Sequence, residues 1–465
     1  MLDRKSFIDN KYLEELLNRP SKNDPGRINE ILARGGEKKG LNLEDVAFLS
    51  RISDPDQLSL LYKTAQKIKN DIYGNRIVIF APLYVSNECA NICDYCGFRA
   101  DNKDLLRRTL SPEELQQETR ILETQGFKRL LLVYGEHPRF DGEWIAESIE
   151  AVYRGEGTKR EIRRININTA PLSVEDFKIV KKTGIGTYQC FQETYHRETY
   201  EKVHLKGKKS NYIRRLYAHD DAFVAGIDDV GLGVLFGLYD WKYELLGLLS
   251  HSYHLESKYG VGPHTISFPR IEPALNAPIS EAPPYQVSDT DLKKIIAIIR
   301  IAVPYTGIIL TTRETGQLRN ELLKLGVSQI SAASRTYPGG YFDEMHNQPS
   351  KQQFSIGDTR SLDEVIRDLA QMGYIPSFCT SCYRKGRTGQ AFMEYARPGN
   401  IHKFCKPNAI LSFLEYLLDY ASPETKQEGL KIVKRELVDV TDPEIKKLLN
   451  DYYDKTLAGE RDLLL

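Results

Sequence analysis

No apolar run in this sequence is long enough to cross a bilayer, and neither charge is in excess: 64 Lys and Arg balance 64 Asp and Glu. The first absence predicts no membrane-spanning helix. The second removes the electrostatic footprint that a nucleic acid or an anionic membrane surface needs, so neither is expected as a partner. The opening residues, Met-Leu-Asp-Arg-Lys-Ser-Phe-Ile-Asp-Asn, lack both an apolar h-region and an Arg- and Ser-rich transit pattern. That predicts a cytoplasmic protein whose thiols stay reduced. Internal repeats and low-complexity tracts are also missing. Cysteine is scarce, with seven in 465 residues. Six of them fall in two tight groups, which in a reducing compartment points to metal ligation rather than a disulfide framework.

What is present is enough to fold. Forty-one per cent of the chain is hydrophobic and 28% is charged, which supplies a sizeable core and argues against wholesale disorder. At 465 residues, one large domain with appendages is the default. Residues 1–70 are polar with helical spacing around Leu13–Leu17 and Val46–Lys69. From there, strand-like segments alternate with helical ones. The strands are expected at Arg76–Val85, Arg129–Tyr134, Arg163–Asn168, Gly186–Phe191, Ile227–Val234, His264–Pro269, Gly307–Leu310 and Gln329–Ala333. Ser111-Pro-Glu-Glu, Ser173-Val-Glu-Asp and Ser288-Asp-Thr-Asp are helix starts, with a capping hydroxyl ahead of first-turn acids. Eight such units predict an α/β fold, a (β/α)8 barrel over 71–373, though an open doubly wound sheet would alternate in the same way. After a helix near Ser361–Met372 the alternation stops. Residues 374–465 are expected to form a mainly helical C-terminal domain, with helices at Glu424–Leu437 and Pro443–Tyr452.

The first cysteine group, Cys89-Ala-Asn-Ile-Cys93-Asp-Tyr-Cys96, follows the first strand, on the face where barrel active sites assemble. Three soft thiolates leave one iron of a cubane open. That iron can take the amino and carboxylate groups of S-adenosylmethionine (SAM) and, on reduction, release a 5′-deoxyadenosyl radical. A structural zinc loop would need a fourth ligand, and none lies close in sequence. This Cys-x3-Cys-x2-Cys loop resembles the radical SAM superfamily, in which the aromatic residue before the last cysteine packs near the adenine; Tyr95 fills that position. The resemblance extends down the barrel. Tyr134-Gly135-Glu136 is similar to the Gly-Glu motif beside the SAM amino group, and Glu193 of Gln192-Glu193-Thr194 falls where relatives place an acid on the ribose hydroxyls. Arg215 stands where relatives carry a partner for the SAM carboxylate, with Arg214 leaving the register open.

The second group, Cys379-Thr-Ser-Cys382 and then Cys405 after 22 residues, again offers three thiolates. With His402 it would make a Cys3His zinc site, and on chemistry alone both readings stand. The flanking stretch from Cys379 to Met393 closely resembles the terminal domain of the [FeFe]-hydrogenase maturase HydG family, the tyrosine lyases. Gly231–Trp241, Ser267–Pro273 and Ser331–Arg335 are similar to that family as well. The barrel motifs are shared with the thiamine-pathway 2-iminoacetate synthase; the terminal cysteines are not.

The resemblance implies a lyase that cleaves the Cα–Cβ bond of L-tyrosine to p-cresol and dehydroglycine, and then converts dehydroglycine to carbon monoxide and cyanide on iron for the hydrogenase active site. It implies an auxiliary 4Fe-4S cluster on Cys379, Cys382 and Cys405, with an extra iron held partly by His264. It further implies an electron donor such as ferredoxin or flavodoxin, and other hydrogenase maturases as partners. Gln192, Arg313, Ser331 and Arg335 are the candidates for tyrosine, because a carboxylate suits an arginine fork. Cys190 is expected to be a buried structural thiol. Lys206-Gly-Lys-Lys209 is expected as a solvated loop, with a docking patch for an acidic electron donor as the other reading. The competing functions are 2-iminoacetate synthesis for thiazole and a zinc-stabilised binding protein without activity.

Overall fold

The computed structural model describes residues 4–20, 24–155, 161–346 and 352–465. Eight parallel strands pair in sequence order: β1 (Arg76–Ser86), β2 (Arg129–Tyr134), β3 (Arg164–Asn168), β4 (Tyr188–Glu193), β5 (Val230–Val234), β6 (Thr265–Ser267), β7 (Gly307–Leu310) and β8 (Gln329–Ser331). β8 returns to β1 through Val78↔Gln329, Ile79↔Ile330 and Phe80↔Ser331. That pairing closes the sheet and excludes the open alternative. The strands are apolar along nearly their whole length because helices cover the outside and side chains fill the inside.

The helix starts read from sequence are real caps. Ser111 forms a capping box with Glu114, Ser173 accepts from Asp176 N, and Ser288 accepts from Asp291 N. The amphipathic run Val46–Lys69 is not one helix. Asp54 caps a new helix at Pro55, so the run divides into Leu43–Leu49 and Pro55–Tyr73. With Asn10–Asn18 and Pro25–Gly36 these form the N-terminal helices, and Pro55–Tyr73 lies against the barrel helix Asp289–Ala302.

The C-terminal region holds five helices where the sequence suggested two: Ser381–Arg384, Gly389–Ala396, His402–Asp419, Pro423–Val438 and Pro443–Leu457. Before them runs β9 (Ile375–Ser377), which pairs in parallel with the first residues of β1, Arg76↔Ile375 to Val78↔Ser377. β2 takes over on that side from Ala81. β1 is therefore long enough to hold two neighbours end to end. β9 delivers the chain to the N-terminal mouth of the barrel, opposite the mouth that holds the first cysteine loop. One continuous core runs from Ile8 through the barrel to Leu449. Among the described residues, no helix is long and apolar enough to cross a membrane.

Candidate active site

The loop after β1 carries Cys89, Cys93 and Cys96 onto the rim of a cavity at the C-terminal mouth. Two of the three sulfurs face amide donors. Asn91 Nδ2 lies 3.6 Å from Cys89 Sγ, and Gln353 Nε2 lies 3.5 Å from Cys96 Sγ. Gln353 is itself held by the Tyr84 hydroxyl at 2.8 Å. The loop is pinned from below by Gly135, where any side chain would collide with the Glu88 carbonyl oxygen beside Cys89. Burial pushes the Cys93 thiol up to about 12, with the neighbouring thiols adding to the shift and Lys209 opposing it. A thiol in that state is protonated at neutral pH, so only a bound metal makes it a thiolate.

The acids at the strand ends lie in the same cavity. Glu136 accepts from Asn91 Nδ2 at 2.7 Å and from Arg214 Nη1 at 2.6 Å. Burial raises its pKa, but Arg214 and Arg215 outweigh burial and keep it below the usual carboxylate range. Glu193 ends β4 at a positive φ of 71°, after a register shift between Phe191 and Glu193. Regular alternation puts Glu193 inward with Gln189 and Phe191, while Gln192 is buried outside the cavity lining, its amide unpaired. Lys209 Nζ donates to Glu193 at 2.6 Å and Arg215 Nη2 lies 3.4 Å from it. Arg214 binds Glu136 while Arg215 bonds Glu193 and Phe191 O, so each arginine serves a different acid. Tyr95 lies in the wall, its hydroxyl 2.7 Å from His204 Nε2.

Of the candidates for a substrate, Arg313 and Ser331 line this cavity and Arg335 does not. Arg335 is tied to Glu344 and to Ser334 O, a loop staple. Arg313 stacks 3.6 Å over the Phe354 ring and donates Nη1 to Arg270 O at 3.1 Å, leaving a buried Nε without an acceptor.

At the opposite mouth a second cavity collects Cys379, Cys382 and Cys405 with His264. Cys405 reaches it from helix His402–Asp419, which contains Pro407. His264, just before β6, packs 4.4 Å from Phe392, and its Nδ1 lies 3.3 Å from an Asp229 carboxylate oxygen. His402, the fourth ligand of the zinc alternative, is exposed, donates Nδ1–H to Gly399 O at 2.6 Å, and lies outside this lining. Cys190 is buried and belongs to neither cavity, in keeping with a structural role.

The Radical SAM superfamily matches residues 83–247, and the Biotin and Thiamin Synthesis associated domain matches 267–375. A crystal structure of HydG, a maturase of the [FeFe]-hydrogenase, is 47% identical, with a TM-score of 0.95 over 99% of this chain and 100% of that one. The chain belongs to the HydG family of radical SAM enzymes. HydG from Carboxydothermus hydrogenoformans is 41% identical, with a TM-score of 0.83 over 95% of this chain and 97% of that one. The 2-iminoacetate synthase of Salmonella typhimurium is 32% identical over 72% of this chain and 86% of its own.

Membership in the radical SAM superfamily implies a 4Fe-4S cluster and SAM, and the upper cavity fits both. It offers three thiols, two of them facing amide donors, with an aromatic wall and two ionised acids near the rim. Lys209 is the residue that sequence reasoning missed. Expected in a solvated loop, it is largely buried, lies 5.5 Å over the Tyr95 ring and lines the cavity. Its signal was the antiparallel pairing of Ile92–Cys93 with His204–Lys206, which folds the basic loop back onto the cysteine loop.

Proposed function

We propose that this enzyme is a tyrosine lyase that makes carbon monoxide and cyanide for the [FeFe]-hydrogenase active site. The observation that carries the reading is the pair of three-thiol cavities at opposite mouths of one barrel. Neither matching family model reaches Cys379, whereas the HydG likeness covers nearly the whole chain. When bound, the first cluster and SAM supply a 5′-deoxyadenosyl radical. The protein's part is to orient and to exclude water. In this reading Glu136 takes the SAM amino group and Glu193 its ribose. Arg313 offers its unpartnered edge to the tyrosine carboxylate, with Ser331 nearby. Arg335 and Gln192 leave the list of substrate contacts, one bonded to Glu344 and the other outside the cavity.

Tyrosine divides into p-cresol and dehydroglycine, and dehydroglycine has the composition of carbon monoxide, hydrogen cyanide and water together. The second step therefore needs no oxidant, only a site that holds the fragment and iron that takes the products. We assign that site to Cys379, Cys382, Cys405 and His264, with an auxiliary 4Fe-4S cluster and an extra iron as cargo. An anaerobic assay with tyrosine, SAM and reductant tests the reading by following p-cresol and carbon monoxide together. The variant Cys379→Ser with Cys382→Ser should keep p-cresol and lose iron-bound carbon monoxide and cyanide. Wild-type protein that forms p-cresol without either would instead be a 2-iminoacetate synthase.

A further inference from the structure

The lower cavity contains more cationic donors than the thiols and His264 explain. Arg76, at the start of β1, lines it and makes no hydrogen bond or ion pair among the described residues; it only stacks 5.8 Å from the Tyr73 ring. Arg129, at the start of β2, is 4% exposed and also lines it. Its one polar contact is weak, Nη2 to the Tyr383 hydroxyl at 3.4 Å. Both Nε atoms are buried without an acceptor. Arg164, Arg313, Arg319 and Arg387 also carry a buried Nε without an acceptor, but each donates at least one Nη to an oxygen within 3.1 Å. Arg319 pairs with Asp358, and Arg300 donates to the carbonyls of Gly326, Pro304 and Thr306. Guanidinium groups with so few acceptors are unfavourable in a cavity wall, and Arg76 with none beside Arg129 with one long bond marks a site completed by an anion. Asp229, the nearby buried carboxylate, lies 3.3 Å from His264 Nδ1 without a hydrogen bond and pairs with neither arginine.

We propose that Arg76 and Arg129 form a binding site for a small carboxylate beside the three thiols. It would receive the two-carbon α-imino acid fragment and fix its carboxylate end while the rest faces the iron. This rests on the function proposed above and names how its second site holds its substrate. Guanidinium donors suit the task because two parallel N–H groups meet the two oxygens of one carboxylate. A fragment that is not held would leave and hydrolyse to glyoxylate and ammonia.

The test uses cluster-loaded full-length enzyme carrying Arg313→Gln, which removes the competing carboxylate site at the other mouth. Glyoxylate, the oxygen analogue of the fragment, is titrated by calorimetry. Adding Arg76→Gln with Arg129→Gln should weaken its binding at least tenfold. In otherwise wild-type enzyme the same pair should leave p-cresol unchanged, lower carbon monoxide per p-cresol at least tenfold and release glyoxylate. Unchanged glyoxylate affinity and an unchanged product ratio would overturn the proposal. The charge-conserving pair Arg76→Lys with Arg129→Lys separates binding from cluster retention. If it loses iron to the level of Cys379→Ser with Cys382→Ser, the arginines are counter-charges for the cluster and the proposal fails. Wild-type enzyme that makes p-cresol and no carbon monoxide would sink the proposed function itself, a separate result.

Discussion

Replacing Arg313 is the sharpest test of the proposed tyrosine site. Its guanidinium is fixed on two sides, by the Phe354 ring at 3.6 Å and by the Arg270 carbonyl at 3.1 Å, so its free edge is pre-aimed into the cavity. Hydrogen bonds to a charged group contribute about 1.5–3 kcal/mol each. A bidentate fork that water replaces in part is worth about 3 kcal/mol on removal, on the order of a hundredfold in kcat/KM. Arg313→Gln should therefore lower kcat/KM for p-cresol formation on the order of a hundredfold. Arg313→Lys, which keeps the charge and loses the fork, should cost about tenfold. The assay is anaerobic p-cresol formation against tyrosine concentration. SAM cleavage without tyrosine serves as the control and should hold steady. Arg335→Gln, which breaks only the pairing with Glu344, should leave tyrosine kinetics unchanged. If Arg335→Gln cripples the enzyme while Arg313→Gln stays within threefold of wild type, this account of the substrate carboxylate is wrong.

Lys209→Met should weaken SAM binding about tenfold, the worth of one charge-assisted bond through Glu193, with the iron content of the first cluster retained; unchanged SAM affinity in a direct titration would remove Lys209 from the site. Gly135→Val should prevent loading of the first cluster, because the added carbons meet the Glu88 carbonyl; normal iron and sulfide at that site would refute the clash. Glu244, buried against Thr194 and Tyr195 N, has its pKa raised by burial to about 8. The folded chain then binds a proton that the unfolded chain releases near pH ~4.3, so this carboxyl makes stability fall as pH rises between those values, by at most about 1.4 kcal/mol per unit. Glu244→Gln should flatten that decline in thermal melts of the metal-free chain between pH 5 and 8, and an unaltered slope would mean the carboxyl is ionised in the fold. His402→Ala should leave the iron content of the second cavity at the wild-type level, and its loss would revive a Cys3His site.

The barrel was legible because each of its units announces itself locally. Ser111, Ser173 and Ser288 mark helix starts by capping chemistry that needs no tertiary context. Where several elements had to meet, the signal failed. Helix His402–Asp419 is buried on most sides, so it has no polar face to give it a helical period, and Pro407 reads as a break. Glu193 and Gln192 differ by one position. Which of them enters the cavity is decided by which face of β4 the closed barrel turns inward, the face of Gln189 and Phe191. The two arginines were indistinguishable for the same reason, because what separates them is Glu344 against one and an open cavity beside the other.

The spacing of the two cavities leads to the last prediction. On three strands, one residue lines the lower cavity and the residue two positions on lines the upper: Val78 and Phe80, Arg129 and Leu131, Gln329 and Ser331. Positions i and i+2 are successive inward-facing side chains, separated by about 7 Å along a strand. The partition is therefore two successive layers with none between them, and Phe80, Leu131 and Ile309 pack together in the upper one. On the proposed function, the short route for a fragment formed above runs through these two layers to the lower thiols, with no excursion through solvent. Leu131→Trp thickens the upper layer. It should keep p-cresol and lower carbon monoxide per p-cresol several-fold, with glyoxylate appearing in solution. Leu131→Ala thins it and should leave the ratio at the wild-type value. If Leu131→Trp also leaves the ratio unchanged, the fragment travels outside the barrel, and the opposed mouths are not what couples the two reactions.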